Sequence, residues 1–308
     1  MDNQSNVTQF FLVGFAISAE LQLFLFVVFL CIYLLTVTAN VAIISLVHVD
    51  TRLHSPMYFL LSHLSFLEIW YTSSIVPILL ANLSGWKFIS VSSCLTQIYF
   101  YFSLGSTEFF LLGVMAIDRY LAICNPLRYP SIMNNKVCIQ ATSACWTVGL
   151  LSVFFLVLLI SRLTFCHPAI INHFFCDIPP LLRLSCHGTF LEEIVVFFFA
   201  CSIILTSLLL TVVSYVLIIS TISKIASNKG RLKAFSTCAS HFTVVTILYG
   251  TVIFIYVRPS VSSPLDISKV MGVFNTVVTP LLNPIIYCLC LLNMILCLFC
   301  CTYLFWKK

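Results

Sequence analysis

The constraint that dominates this chain is the recurrence of long apolar stretches separated by short polar ones. Stretches at roughly 23–47, 57–81, 94–124, 139–161, 194–222, 236–257 and 268–290 are each long enough for a helix to cross a bilayer, which takes about 20 residues. Of the 308 residues, 61% are apolar and 8% are charged. An ordinary soluble domain carries roughly a quarter charged residues, so a chain this apolar could not cover its own surface in water. The sequence therefore predicts an all-α membrane protein, a bundle of seven transmembrane helices. It divides into a tail at 1–22, the seven-span domain at 23–290 and an apolar tail at 291–308. The charges are scattered among apolar spans, which excludes a basic nucleic-acid surface.

The charged residues also predict an orientation. Arg52, Arg119, Arg128, Lys136, Lys224, Lys229, Arg231, Lys233, Lys307 and Lys308 fall on one side, against Lys87, Arg162, Arg183, Arg258 and Lys269 on the other. The ten-to-five ratio places the N-terminus outside and the C-terminus in the cytoplasm by the positive-inside rule. No basic region precedes a short apolar stretch at the start, so the first span is expected to act as its own insertion signal. Asn3 and Asn6 begin glycosylation sequons on the predicted outer tail. A third sequon at Asn82 lies at the membrane edge, where modification is not expected. Cys94, Cys166, Cys176 and Cys186 lie on the outer side, where an oxidising exterior favours disulfides, but spacing alone leaves their pairing open. His167, His173 and His187 flank three of them, which makes zinc or copper binding an alternative use of those cysteines. The disulfide reading is simpler, so no metal is expected.

Two acids, Glu68 and Glu108, lie deep in spans. Ionisable groups there are costly and face the bundle interior. With Asn40 and Asn283 they can form one polar cluster. Two close carboxylates do not both stay charged without a counter-ion, so either they share a proton or a sodium ion sits between them. Asp118-Arg119-Tyr120 closes the third span, and Asn283-Pro284-Ile285-Ile286-Tyr287 lies in the seventh. Pro77, Pro280 and Pro284 lie inside spans, each removing a backbone hydrogen bond. Tyr249, Val252, Ile253 and Tyr256 share one helix face by their spacing. Phe102, Gly105 and Ser106 share a face of the third span, with Tyr101 at the mouth, and Thr206 and Thr276 add hydroxyls. Together these outline an apolar small-molecule pocket. The outer halves of the third, fifth and sixth spans carry no acid, so a small, neutral, largely apolar ligand is expected.

Four segments carry a family resemblance: Leu53-His54-Ser55-Pro56-Met57-Tyr58-Phe59; Met115 to Cys124 followed by Asn125-Pro126-Leu127; Lys233-Ala234-Phe235-Ser236-Thr237-Cys238-Ala239-Ser240-His241; and Pro280 to Tyr287. In this order they resemble the signature segments of vertebrate odorant receptors, a branch of the rhodopsin-like G-protein-coupled receptors. The resemblance covers roughly residues 1–287. It implies an odorant pocket in the outer half of the bundle and activation of a stimulatory olfactory G protein that raises cyclic AMP. It implies disulfides Cys94–Cys176 and Cys166–Cys186. Arg119 becomes the switch residue held by Asp118, with Tyr215 and Tyr287 as its partners in the active state, and Leu127 belongs to the loop that meets the G protein. Export chaperones, membrane lipid and residence in the plasma membrane of olfactory cilia are implied as well.

The chain departs from the family in three places. Ile117 replaces the usual Tyr, and Glu68 the usual Asp. After Tyr287 the family's basic surface helix is replaced by Cys288 to Trp306, nearly all apolar. A surface helix needs a charged face, which this tail lacks. Burial in the bilayer, palmitoylation of Cys297, Cys300 and Cys301, and a shifted reading frame late in the gene are the three readings. Competing functions fare less well. A transporter would show matched halves, and the spans do not repeat. An enzyme would show a catalytic motif such as His-Glu-x-x-His or Gly-x-Ser-x-Gly, and neither occurs.

Overall fold

A computed structural model describes residues 7–224, 227–257 and 265–287, without the side chains at 228–237, 254–257 and 265–268. Seven long helices dominate it: α1 (Ala19–Val49), α2 (Pro56–Leu83), α3 (Val91–Cys124), α4 (Asn135–Ile160), α5 (Phe190–Ser223), α6 (Asn228–Val257) and α7. The last begins as Leu265–Val273, widens to a π-helix at Phe274–Val278 and continues to Tyr287. Six of these are apolar and long enough to cross a membrane; α6 contributes a shorter apolar run, Cys238–Ile253. At about 1.5 Å per residue, the 30 residues of α6 are still long enough to span.

Local chemistry sets the helix boundaries. Ser18, Ser90 and Asn134 accept hydrogen bonds from Leu21, Ser93 and Val137 at the starts of α1, α3 and α4, satisfying donors that the first turn leaves open. Pro56 stands in the first turn of α2, where its missing N–H costs nothing. In α7 the wide turn has a local cause. Pro280 has no N–H, so the preceding carbonyls lose a partner. Thr279 N–H bonds back five residues to the Phe274 carbonyl, as a π turn does.

α3 runs through the middle, packing against α2, α4, α5 and α6, while α1 packs on α2. Its close approach to α4 depends on Gly149: a Cβ there would lie 2.1 Å from Thr107 Oγ1 and 3.0 Å from the Thr107 backbone nitrogen. The largest apolar cluster joins α1, α2, α3, α5, α6 and α7 through residues such as Ile43, Leu60, Leu111, Ile203, Val244 and Tyr287. Outward-facing Leu, Val and Phe side chains on α1, α4 and α5 are exposed, as a bilayer solvent allows.

The segment before α1 is more than a tail. Residues Gln9–Leu12 form β1, which lies between β2 (Phe88–Ser90) and β3 (Ile170–Ile171) in a small three-stranded sheet. β1 runs antiparallel to β2, with Phe10 opposite Ile89, and parallel to β3. The strand's two-residue period turns Phe10 and Leu12 inward, where both are buried. The sheet and the 161–189 segment cap one end of the bundle.

Candidate functional site

Three polar regions lie along the bundle axis. The first is under the cap. Disulfides join Cys94 at the start of α3 to Cys176, and Cys166 to Cys186, the pairing the resemblance implies. Gln97 donates to the Ser74 carbonyl at 3.3 Å and accepts from Cys176 N–H at 3.0 Å. Asn82 donates to the Leu12 carbonyl at 3.1 Å and Lys269 to that of Gly14 at 2.7 Å. Asn82 is buried. His173 is buried among Phe174 and Phe175. Burial, with the nearby Lys269 charge second, pushes its imidazole down to about 3.

The second region is the interior below the cap. Tyr101 is buried, stacked on Tyr71 with ring centres 5.4 Å apart and edge-on to Phe175 and Phe102. Tyr249 meets Phe109 edge to face at 5.2 Å and lies beside Ser207 and Thr211. Val252 is buried. Ser106 and Thr276 are buried too, but their hydroxyls bond the Phe102 and Gly272 carbonyls of their own helices. Phe102 and Gly105 are half-buried on the same helix. Two expectations fail here. Thr206 is exposed on the outer face of α5; the inward positions are Ile203, Ser207 and Thr211, because one residue along a helix turns the side chain by about 100°. Ile253 is 40% exposed, at the edge of the face whose centre is Tyr249 and Val252. The Tyr256 side chain lies outside the described residues, as do Asn3, Asn6 and everything after Tyr287. A chain of bonds that the spacing did not reveal crosses this region. Thr251 donates to Asn275 Oδ1 at 3.2 Å, and Asn275 Nδ2 donates to the Tyr71 hydroxyl at 3.4 Å.

The third region runs from mid-bundle to the end opposite the cap. Asn283 donates to Glu68 Oε1, leaving Glu68 Oε2 buried without a protein hydrogen-bond partner. Glu108 lies close enough to feel the Glu68 charge. Asn40 is buried but donates to the Thr36 carbonyl of its own helix at 3.0 Å, so that bond holds it in α1 rather than to the acids. Pro284 is buried beside Asn283 in α7.

Arg119, 6% exposed, sits at the end of α3 opposite the cap with Nη2 unpartnered. Its charge reaches Tyr215, Tyr287 and His241. Asp118 feels the same charge, but the expected direct clasp is replaced. Asp118 accepts from the Tyr129 hydroxyl at 2.7 Å and makes no ion pair with Arg119 within 4.0 Å. Tyr215 and His241 Nδ1 share a 2.6 Å hydrogen bond. His241 Nε2 and the Tyr287 hydroxyl are buried and unpartnered. Tyr120 is half-buried, while Leu127 is 97% exposed on the following loop. His241 and Tyr129 were missed at sequence level, although each lies in or next to a quoted signature segment. A lone His inside an apolar span was the available signal.

The sequence comparisons agree with this geometry. The olfactory receptor family profile matches residues 29–298. Olfactory receptor 11L1 of Homo sapiens is 52% identical over 93% of this chain and 89% of its own length. Olfactory receptor 6F1 of Homo sapiens is 54% identical over 93% and 94%, and olfactory receptor 287 of Rattus norvegicus 51% over 93% of each. A multi-pass helix bundle of this kind, matched over nearly its whole length, belongs to the olfactory receptor family, whose members are receptors rather than enzymes.

Proposed function

We propose that the chain is an odorant receptor which admits a small, neutral, largely apolar volatile beneath the cap. It passes the event to a stimulatory olfactory G protein at the Arg119 end, raising cyclic AMP. The cap faces the exterior in this reading. Disulfides Cys94–Cys176 and Cys166–Cys186 at that end suit an oxidising side, and the basic loops lie at the other. The observation that carries the reading is the Arg119 cluster. It gathers a buried guanidinium, Tyr215, Tyr287 and His241 with polar atoms left unpartnered, at the end of α3 that leads into the loop carrying the exposed Leu127. Unpartnered buried groups are costly to keep, so a helix shift that pairs them has a built-in reward. Apolar and aromatic walls around Tyr101, Phe102, Tyr249 and Val252, with the Thr251–Asn275–Tyr71 bonds, suit a neutral ligand bearing at most one or two polar atoms.

Glu68 and Glu108 either share a proton or hold a sodium ion. Glu68 Oε2, buried without a protein partner, suits either. Glycosylation at Asn3 or Asn6, export chaperones and residence in olfactory cilia belong to the same reading. Its test is cyclic AMP in cells supplied with an olfactory G protein and a receptor-export chaperone, challenged with a panel of neutral odorants. A dose-dependent rise that vanishes in Arg119→Ala, with surface staining retained, is expected. A response only to charged amines would refute the ligand class, and a response that survives Arg119→Ala would refute the switch.

A further inference from the structure

One cavity has no part in odorant binding as read above. It is a 690 Å³ groove between α1, α2 and α4 at the Arg119 end. Three histidines line it: His48 from the last turn of α1, His54 from the link to α2, and His63 two turns into α2. The rest is mostly apolar, including Phe66, Ile139 and Trp146. Phe66 and Ile139 are 43% and 54% exposed on the bundle surface, so the groove opens towards lipid rather than into the core.

Three features select the occupant. An apolar trough open to the bilayer takes an acyl chain, which free phosphate does not have. No Asp or Glu lines the groove, so a cationic head would meet no counter-charge, whereas imidazole N–H groups donate hydrogen bonds to an anion. A second recess of 550 Å³ adjoins through shared Pro56 and Asn135 and brings Lys136 to the same mouth. His48 Nδ1 already donates to the Ile44 carbonyl at 3.0 Å, so its Nε2 donates to a phosphate only as an imidazolium, a form that a nearby anion favours.

We propose that this groove is a binding site for an anionic phospholipid. The headgroup phosphate is held by His48, His54 and His63, and one acyl chain lies over Phe66, Ile139 and Trp146. The inference rests on the orientation proposed above only for which leaflet supplies the lipid. The site also touches the switch. Tyr129 lines the adjoining recess and holds Asp118, so a bound headgroup restrains the loop beside Arg119.

The test uses the full chain in phosphatidylcholine nanodiscs doped with phosphatidylserine carrying a photoreactive acyl chain, the labelled peptides being mapped by mass spectrometry. Label is expected on the α2 and α4 peptides holding Phe66, Ile139 and Trp146, about fivefold above that from phosphatidylcholine with the same reactive chain. Combined His48→Asn, His54→Asn and His63→Asn substitution should bring the two lipids level, with labelling of the far face of α5 unchanged. Ile139→Trp, which fills the trough and leaves the histidines in place, should reduce both labels at the groove. Equal labelling by the two lipids in the parent chain would overturn the proposal. So would phosphatidylserine labelling that survives the histidine changes, or a photoreactive sterol that occupies the groove and is not displaced by anionic lipid.

Discussion

Under the cap, Asn82, Gln97 and Lys269 each reach from a helix to the backbone of a different segment. At the opposite end Arg119 Nη2, the Tyr287 hydroxyl and His241 Nε2 are buried without hydrogen-bond partners, whereas under the cap this holds of His173 Nδ1. The two ends use similar residue types to different effect. Satisfied polar groups in a low-dielectric interior fix one arrangement; unsatisfied ones penalise the arrangement they are in. A receptor needs both, a cap that keeps its shape while ligand comes and goes and an inner end with somewhere better to go. The contrast predicts that polar deletions at the cap destabilise the fold, whereas selected deletions at the inner end do not.

The largest effect should come from Cys176→Ser, which frees the link between α3 and the cap. Losing a native disulfide typically costs about 2–5 kcal/mol. The 82-residue separation of Cys94 and Cys176, against 20 for Cys166 and Cys186, makes the first loss larger by about 1 kcal/mol on chain-entropy grounds. Surface staining and the thermal midpoint of purified protein check this. Equal losses from Cys176→Ser and Cys186→Ser would remove the ranking.

Gly14→Ala should cost about 1–3 kcal/mol. The backbone there has φ +68°, a conformation that suits glycine, and a Cβ would lie 1.9 Å from Asn82 Oδ1. The substitution therefore strains the turn and breaks the Asn82–Leu12 bond together. Gly188→Ala, with nothing within 4 Å of its added carbon, is the control and should change stability by less than about 0.5 kcal/mol. If both behaved alike, the N-terminal segment would not be seated as described.

Acid should loosen the cap through His173. Its imidazole falls from 6.5 to about 3 on folding, through burial first and Lys269 second. The unfolded chain then binds the extra proton between those values, so stability is full above pH 6.5 and declines as pH falls towards 3. The decline is at most about 1.4 kcal/mol per pH unit, or about 2 kcal/mol by pH 5. Asp177, which caps Ile178, pulls the other way. Burial raises its carboxyl from 3.8 to about 6, so its contribution is largest below pH 3.8 and is lost as pH rises through 6. The His173 effect is therefore read as the difference between the parent and His173→Asn across that range. Parallel profiles would show that the ring is not buried neutral.

How much of this was legible beforehand differs between the two ends for physical reasons. Span number and approximate limits follow from apolar run length, and the Asp118-Arg119-Tyr120 and Asn283–Tyr287 segments are local in sequence. The cap is not local. β1 pairs across about 80 residues to β2 and about 160 to β3, and strands of four, three and two residues are too short to show a period. Thr206 and Ser207 illustrate a finer limit. An α5 apolar on every side gives no stripe from which to fix its rotation, so the inward hydroxyl was assigned one residue early. Asp118 shows the same limit at a contact. Adjacent opposite charges suggest a pair, but successive residues on a helix point about 100° apart, and Tyr129 from the next loop fills the place.

The smallest effect separates stability from signalling most cleanly. Tyr287→Phe removes a hydroxyl that is buried and has no hydrogen-bond partner. Deleting an unsatisfied group relieves its desolvation cost, so the thermal midpoint should rise, by the equivalent of about 1 kcal/mol. Tyr215→Phe should do the reverse. It breaks the 2.6 Å bond to His241 Nδ1 and orphans that nitrogen, at a cost of about 1–2 kcal/mol. On the proposed mechanism both variants lose agonist-evoked cyclic AMP, because both hydroxyls are partners for Arg119 once the inner end rearranges. The pair therefore yields one loss of signal with a more stable receptor and one with a less stable receptor. A Tyr287→Phe receptor that melts earlier would mean the hydroxyl is already bonded in the resting state, and the contrast between the two ends would then weaken.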